Sequence, residues 1–448
     1  MGETEEMLNF LGIDDMDELF RDIPEKVRSE IDLSEGMSEM EVVDHVRSLL
    51  NRNKSLDQMS CFLGGGIYNH YVPAIVFEIL GRSEFYTSYT PYQAEVSQGM
   101  LQALFEYQSL ICELTGMEAS NTSMYDYPTA LAEAVLMSGR IGKRKRNKFL
   151  LPKNIHWEKI EVLQNYLRGT DITLEMVDYH EEKGTVNKED FQFKVDDSTL
   201  GFYVESPNFF GVFEDEMQFF RDMKEEHKLV SVAGVHPLAL TLMEPPSSWD
   251  ADIVVGDSQP LGIPPSFGGP SVGIFACSSK HLRRMPGRMI GETEDMDGNI
   301  AYCMTLQTRE QHIRRERATS NICTNQALMS LASAIYTFTL GGKGLEKLAR
   351  HNFQKAHEVA KAIDDIPGVD APLFSGEFFN EFVISLPGEI HGDLAELSRG
   401  RDLLPGIELG RGTHRFPELP PSLLTTVTET CGDDDIDKLV SVLKEVVK

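Results

Sequence analysis

The sequence of 448 residues predicts an α/β protein with one large, mostly parallel sheet and a smaller C-terminal α+β domain. Short apolar runs alternate with amphipathic helical stretches from about residue 128 to residue 277, which is typical of a parallel sheet covered on both faces. After residue 300 this alternation gives way to two long helical stretches and two separate strands. We therefore expect an N-terminal arm with helices over residues 1–60, a large domain over 61–330 and a small domain over 331–448.

The N-terminal third contains two helix starts. Ser38 and Glu41 form a capping box ahead of an apolar periodic stretch, so a helix is predicted directly after them. A Thr-Pro-Tyr-Gln run at residues 90–93 predicts a second start, with proline at the first helical position. From there apolar residues spaced by three and four continue to Leu114, and Gly116 is a natural C-terminal cap.

The remaining elements follow from periodicity and turn residues. Strands are predicted over residues 148–151, 172–177, 200–204, 229–233, 253–255, 272–277, 382–386 and 423–427. Helices are predicted over residues 128–137, 157–167, 215–226, 326–340, 344–363 and 435–447.

Composition excludes several classes of function. The net charge of −29, from 42 basic and 71 acidic residues, repels nucleic acid phosphates. No apolar run is long enough to span a membrane, and the acidic start lacks the layout of a signal peptide, so a cytoplasmic protein is expected. The six cysteines are scattered without a CxxC pair, and no HExxH or EF-hand pattern occurs, so neither disulfides nor a metal site is expected.

Long runs with unusual residues resemble one family over nearly the whole chain. They are similar to the P-protein of the glycine cleavage system, a glycine decarboxylase of the type I pyridoxal-phosphate (PLP), or aspartate aminotransferase-like, fold. The resemblance therefore implies that fold for this chain. The matching runs include GGIYNHYVP, EFYTSYTPYQAEVSQG, FEYQSLICELTGMEASNTSMYD, PNFFG, QPLGIPPSFGGP, MPGRMIG and LQTREQHIRRERATSNICTNQAL.

Within this resemblance the chain departs from the catalytic form of the family. The family carries a His-Lys pair before the Ile-Pro turn, and its lysine forms the Schiff base with PLP. Here Ser258 and Gln259 hold those places, and an amide cannot form an imine. His236 stands where the family usually has an acidic or amide residue, and an imidazole is a poor partner for the protonated pyridine nitrogen. The variant resembles the N-terminal subunit, which does not anchor PLP, of the two-subunit P-protein, and its PLP site is expected to be vestigial.

In type I PLP folds both chains of a dimer line each active site, so the resemblance implies that some residues here face a partner's PLP. The candidates are Tyr68 and His70 in a glycine-rich loop, Tyr89 and Tyr92 at the predicted helix start, and Arg314 and Arg315. A helix N-terminus favours anions, and arginine makes bidentate contacts with carboxylates or phosphates. The alternatives are a satisfied core or loop histidine at His70 and a solvated basic helix over residues 308–321.

Three functional hypotheses remain at this point. The first is a subunit of glycine decarboxylase whose homologous partner, subunit 2, carries PLP. With that partner it decarboxylates glycine and passes the aminomethyl group to the lipoyl arm of the H-protein, in an assembly resembling a pair of heterodimers. The second is an independent PLP enzyme that uses Lys280 or Lys343, and the third is a non-catalytic scaffold or regulatory paralogue. The residues that match the family favour the first.

Overall fold

A computed structural model describes residues 2–29, 32–88, 90–142, 146–322, 325–388, 391–410 and 415–447. The chain divides into two compact units, residues 1–55 and residues 56–448. Among the described residues no helix is both long and apolar enough to cross a membrane.

The N-terminal unit contains two helices, α1 (Glu3–Leu11) and α2 (Glu39–Leu50). The predicted capping box of α2 is confirmed, because the Ser38 N–H donates to Glu41 Oε2 at 2.8 Å and the Glu41 N–H donates to Ser38 Oγ at 3.4 Å. None of the described residues of this unit is buried, although α2 carries six apolar side chains between Met40 and Leu50.

The second unit is built on a seven-stranded sheet. The strand order is β2-β8-β7-β6-β5-β3-β4; the ladders joining β7, β6, β5, β3 and β4 are parallel, and β8 pairs antiparallel with both β7 and β2. The predicted mostly parallel sheet is confirmed. A short strand outside this sheet, β1 (Ser60–Cys61), precedes its members, which are β2 (Ala119–Ser120), β3 (Lys148–Pro152), β4 (Thr173–Val177), β5 (Thr199–Ser206), β6 (Val230–Val235), β7 (Ile253–Asp257) and β8 (Gly273–Cys277).

Helices cover both faces of this sheet, as the apolar character of its central strands requires. Side chains of α5, α9 and the long helix α11 pack on the face that carries Val204, Ala233 and Val254. Side chains of α6 and α7 pack on the opposite face, which carries Tyr203 and Val232. The helices of this part are α3 (Ala74–Leu80), α4 (Ser83–Tyr86), α5 (Gln98–Thr115), α6 (Tyr127–Ile141), α7 (Trp157–Leu167), α8 (Lys188–Lys194), α9 (Met217–His227), α10 (Gln311–Arg314) and α11 (Ala327–Asp364).

The predicted start of α5 is wrong. The helix begins at Gln98, and residues 94–96 before it form a short 3-10 turn. The Gln98 amide donates to Tyr302 O at 2.8 Å and accepts from the Tyr302 N–H at 2.9 Å, so a strand far along the chain holds this segment. The predicted end is confirmed, because Gly116 caps α5 in the left-handed conformation.

The C-terminal part has a three-stranded antiparallel sheet in the order β11-β14-β13 and its own apolar core. The two helices predicted before it are confirmed as the halves of α11, which kinks at Gly341. The proposed boundary at residue 330 lies within α11 and stays a prediction. The remaining elements are β9 (Met289–Glu294), β10 (Ile300–Thr305), β11 (Glu381–Ser385), α12 (His391–Gly400), β12 (Leu403–Leu404), β13 (Ile407–Leu409), β14 (Ser422–Thr426) and α13 (Asp433–Val446).

Candidate functional site

The site begins at the carboxyl end of β7, where Gln259 lies two residues beyond the strand. Its side chain is 1% exposed and makes three hydrogen bonds to backbone groups. The amide NH2 donates to Tyr68 O at 2.9 Å and to Ile263 O at 2.7 Å, and Oε1 accepts from the Tyr68 N–H at 2.8 Å. Every amide hydrogen of Gln259 is therefore engaged within the chain.

Beside Gln259 lies a cavity of about 40 Å³, space for a few water molecules. A buried ion pair occupies the space next to this cavity: Lys159 Nζ lies 2.5 Å from Glu205 Oε1. The same ammonium lies 3.5 Å from the centroid of the Tyr127 ring, a cation–π contact. His236 and Asp257 complete this part of the wall.

Burial dominates the electrostatics of this cavity. It lowers the pKa of Lys159, against the opposing attraction of Glu205. It raises the pKa of the Asp257 carboxyl to about 7, although that carboxyl accepts hydrogen bonds from Ser271 and from the Gln259 N–H. It also lowers the pKa of His236 to about 3, so this imidazole is neutral near pH 7. Neither ring nitrogen of His236 has a hydrogen-bond partner among the described residues.

A glycine-rich loop, residues 64–71, closes the cavity. The Tyr68 hydroxyl donates to Glu381 Oε2 at 2.7 Å, and the pKa of that carboxyl is raised by burial. His70 Nδ1 lies 2.9 Å from Glu429 Oε2. Gly64 must be glycine, because an added Cβ would collide with the side chains of Thr426 and Glu381.

A second group of side chains, which we call the outer cluster, comprises Tyr92, Arg288, Glu310 and His312. Arg288 donates to the Tyr92 hydroxyl at 2.7 Å, and the rings of Tyr92 and His312 meet edge to face with centroids 5.8 Å apart. Arg288 Nε and His312 Nδ1 lie 3.8 Å and 3.6 Å from Glu310 Oε2. Tyr92 is 51% exposed, so this cluster reaches the surface.

Comparison with known proteins adds to this geometry. Residues 1–443 match the family described as glycine cleavage system P-protein. The chain is 47% identical over 444 residues to the probable glycine dehydrogenase (decarboxylating) subunit 1 of Carboxydothermus hydrogenoformans, covering 98% of this chain and 97% of that protein. It is 45% identical over 449 residues to the protein of the same name from Pyrococcus horikoshii, covering 99% and 97%. This chain belongs to the P-protein family.

Solved structures agree with that assignment. A crystal structure of glycine decarboxylase (P-protein) in inhibitor-bound form has a TM-score of 0.89 and 36% identity, and the match covers 100% of this P-protein chain and 99% of the other. A sphingosine-1-phosphate lyase of Burkholderia pseudomallei has a TM-score of 0.68 at 13% identity, covering 94% and 93%. A glutamate decarboxylase of Lactobacillus brevis has a TM-score of 0.71 at 11% identity, covering 94% and 96%. The predicted type I PLP fold is confirmed.

The predicted site residues of this P-protein chain lie in two separate places. Tyr68 and His70 lie in the loop over the cavity and are 7% and 5% exposed. Tyr92 lies in the outer cluster. Arg314 and Arg315 are exposed and follow His312 of that cluster closely in sequence, in a stretch of short turns that includes α10. Tyr89 lies outside the described residues. Whether these residues face a partner's active site stays a prediction.

One argument for that role is corrected by the fold. Tyr92 does not flank a helix N-terminus, because α5 begins six residues later. The expected basic helix over residues 308–321 is also absent from the described residues of that stretch, which form short turns around the four residues of α10. The case for an anion-facing role of Tyr92 therefore rests on Arg288 rather than on a helix dipole.

The lysines of the second hypothesis lie away from the cavity. Lys280 Nζ is 2.8 Å from Asp252 Oδ1, at the amino end of β7, whereas Gln259 follows the carboxyl end of that strand. Lys343 is exposed on α11. Neither lysine lines the space beside Gln259.

Sequence reasoning missed Lys159, Glu205 and Arg288. Lys159 carried a usable signal, since it precedes Leu163 and Leu167 at intervals of four on α7 and so falls on the buried face of that helix. Glu205 sits near the carboxyl end of a strand that is buried throughout, where a charged residue is unusual. Arg288 had no local signal. Among the described residues no group of three or more potential metal-ligating side chains occurs.

Proposed function

We propose that this chain is the subunit of a two-subunit glycine dehydrogenase (decarboxylating) that does not anchor the cofactor. A homologous subunit carries PLP, and the pair decarboxylates glycine and transfers the aminomethyl group to the lipoyl arm of the H-protein. PLP supplies the electron sink for the loss of the carboxylate. The role of this chain is to complete and support the partner's active site.

The observation that carries the proposal is the state of Gln259. A PLP site in this fold needs a lysine that is free to form the Schiff base, and the amide here has no reactive amine and is fixed by three hydrogen bonds. The neutral imidazole of His236 carries no negative charge, so it is a poorer partner for a protonated pyridine nitrogen than a carboxylate. About 40 Å³ of space is far too little for a pyridine ring with a phosphate. The residues at this place do not fit PLP.

A requirement for a partner chain is supported by the names of the curated relatives, which are called subunit 1.

The outer cluster supports a role near a shared active site. Arg288 is held by Tyr92 and Glu310, so its guanidinium is fixed in position. Arg314 and Arg315 add exposed positive charge close in sequence to His312 of this cluster, on a chain whose net charge is −29. Fixed arginines of this kind bind carboxylates or phosphates in bidentate fashion. Glycine carries a carboxylate, and PLP carries a phosphate.

The proposal is tested by co-expressing the chain with its PLP-bearing homologue and measuring glycine–bicarbonate exchange. We expect exchange activity from the pair and none from either chain alone. Absorbance of bound PLP should accompany the homologue and not this chain. Full activity of the homologue without this chain would contradict the proposal and favour the scaffold hypothesis.

Three variants then test the partner-facing residues. We expect His70→Ala, Tyr92→Phe and Arg315→Lys to lower the exchange rate of the complex while size-exclusion chromatography shows normal assembly. Loss of one charged hydrogen bond costs roughly 1.5–3 kcal/mol, or about ten- to a hundredfold in rate. The matched control is Arg221→Lys on α9, whose guanidinium makes an exposed pair with Glu225. Wild-type rates in all three variants would show that another face of the subunit meets the partner.

A further inference from the structure

The side-chain amide of Gln259 makes contacts that a lysine at this position could not make. It pairs with both backbone groups of Tyr68, as one peptide unit pairs with another across a sheet. A lysine ammonium has three donors and no acceptor, so at this position it would leave the Tyr68 N–H without a partner. An amide side chain offers a donor and an acceptor side by side without a change of protonation, which makes Gln259 complementary to the loop.

The rest of the loop is fastened in the same way, by groups from distant parts of the chain. The Gly65 N–H donates to Glu381 Oε1 at 2.7 Å, and the Tyr71 N–H donates to Glu429 Oε1 at 2.8 Å. Between them, Asn69 O accepts hydrogen bonds from Thr428 and Thr430 at 2.7 Å and 3.0 Å. The loop is therefore held along its length, with Gln259 at its centre.

We propose that Gln259 is a positioning residue for the partner's reaction: through Tyr68 it fixes the 64–71 loop, and with it His70, in the geometry that the complex needs for exchange. This inference rests on the proposed function. Gln259 stands where the catalytic form of the family has its Schiff-base lysine. Its role here is exerted through the loop and not by contact with substrate.

The test compares Gln259→Leu with Ser258→Ala. Ser258 is also buried and loses one hydrogen bond, to the Tyr107 hydroxyl at 2.9 Å, but its side chain makes no hydrogen bond to residues 64–71. In the complex with the PLP-bearing homologue, we expect Gln259→Leu to lower kcat for glycine–bicarbonate exchange at least tenfold, with smaller change in KM, an altered absorbance spectrum of the partner's PLP and normal assembly. Ser258→Ala should stay within about twofold of wild type.

A second readout needs no partner. In the isolated chain, hydrogen–deuterium exchange at the Tyr68 amide should be at least tenfold faster in Gln259→Leu than in wild type and unchanged in Ser258→Ala. If Gln259→Leu does not fold, Gln259→Asn replaces it, since its amide ends one carbon short of Tyr68, and the same changes are expected.

The outcomes separate the two proposals. An inactive wild-type pair would contradict the proposed function, and the amide exchange would still decide whether Gln259 holds the loop. An active wild-type pair in which the Gln259 variant keeps wild-type kcat and PLP spectrum would overturn the positioning role, as would unchanged amide exchange.

Discussion

The buried pair of Lys159 and Glu205 gives the sharpest quantitative prediction. Each side chain is 9% exposed, and their charged atoms are 2.5 Å apart. Lys159→Met keeps an unbranched side chain, one atom shorter, but leaves the Glu205 carboxylate unpaired in the interior. Removing one partner of a buried ion pair destabilises a protein by about 3–5 kcal/mol, because the remaining charge has lost both water and counter-ion. The same loss is expected for Glu205→Leu.

The double variant Lys159→Met/Glu205→Leu should behave differently. Replacing both charges by apolar groups of similar size is often neutral or stabilising, so the two single losses should not add. We expect a coupling energy of at least about 3 kcal/mol from the double-mutant cycle. Urea unfolding followed by circular dichroism measures it, at low salt and in 1 M NaCl, and salt should change the coupling little because the pair is buried.

The surface pair Arg221–Glu225 serves as the control. Its side chains are 41% and 59% exposed, and Arg221→Met should change stability by no more than about 0.5 kcal/mol. Additive losses below about 1 kcal/mol for the Lys159 and Glu205 variants would show that this pair is hydrated. The cofactor place would then not be filled by its own side chains, and the argument that PLP cannot fit would fail.

Three further predictions concern the same region. The isolated chain should form no Schiff base with PLP that borohydride can trap, and a single labelled lysine would contradict this. Gln259→Lys should not create a decarboxylase in the isolated chain, because His236 stays neutral and the cavity stays at about 40 Å³; measurable release of CO₂ from glycine would show otherwise. Although burial opposes ionisation of Glu429, hydrogen bonds from His70, the Tyr71 N–H and Asn352 lower its pKa to about 2. Its contribution is therefore present above the unfolded pKa of about 4.5 and lost as pH falls towards 2. The stability difference between wild type and Glu429→Gln should shrink over that range by about 3 kcal/mol, measured by urea unfolding at several pH values.

Local sequence signals correctly predicted the helices and strands that are determined by neighbouring residues. Both ends of α7 were predicted correctly, and the kink at Gly341 separates two helices that the sequence had already divided. The start of α5 was wrong because Gln98 is held by Tyr302, more than 200 residues away, and no local pattern records that contact. Tertiary contacts of this kind override capping signals.

The residues of the candidate site were likewise predicted only in part from the sequence. Gln259 and His236 were identified from the resemblance, because each lies just after a strand that the sequence pattern predicts. Lys159 was not, because a lysine on a helix is usually solvated and only the fold brings it opposite Glu205. The outer cluster joins Tyr92 to Arg288 and His312, residues about 200 positions apart whose proximity depends on the β9–β10 hairpin.

The contacts around Gln259 depend on one another. Buried polar groups need hydrogen-bond partners, and around Gln259 part of that need is met by the chain itself. In this chain Lys159 is paired with Glu205, and the Gln259 amide satisfies Tyr68 and Ile263. The loop over the cavity is thereby ordered by the protein alone. A lysine at 259 would break these contacts before it formed any new one, and this is the physical reason why a single substitution should not create a decarboxylase.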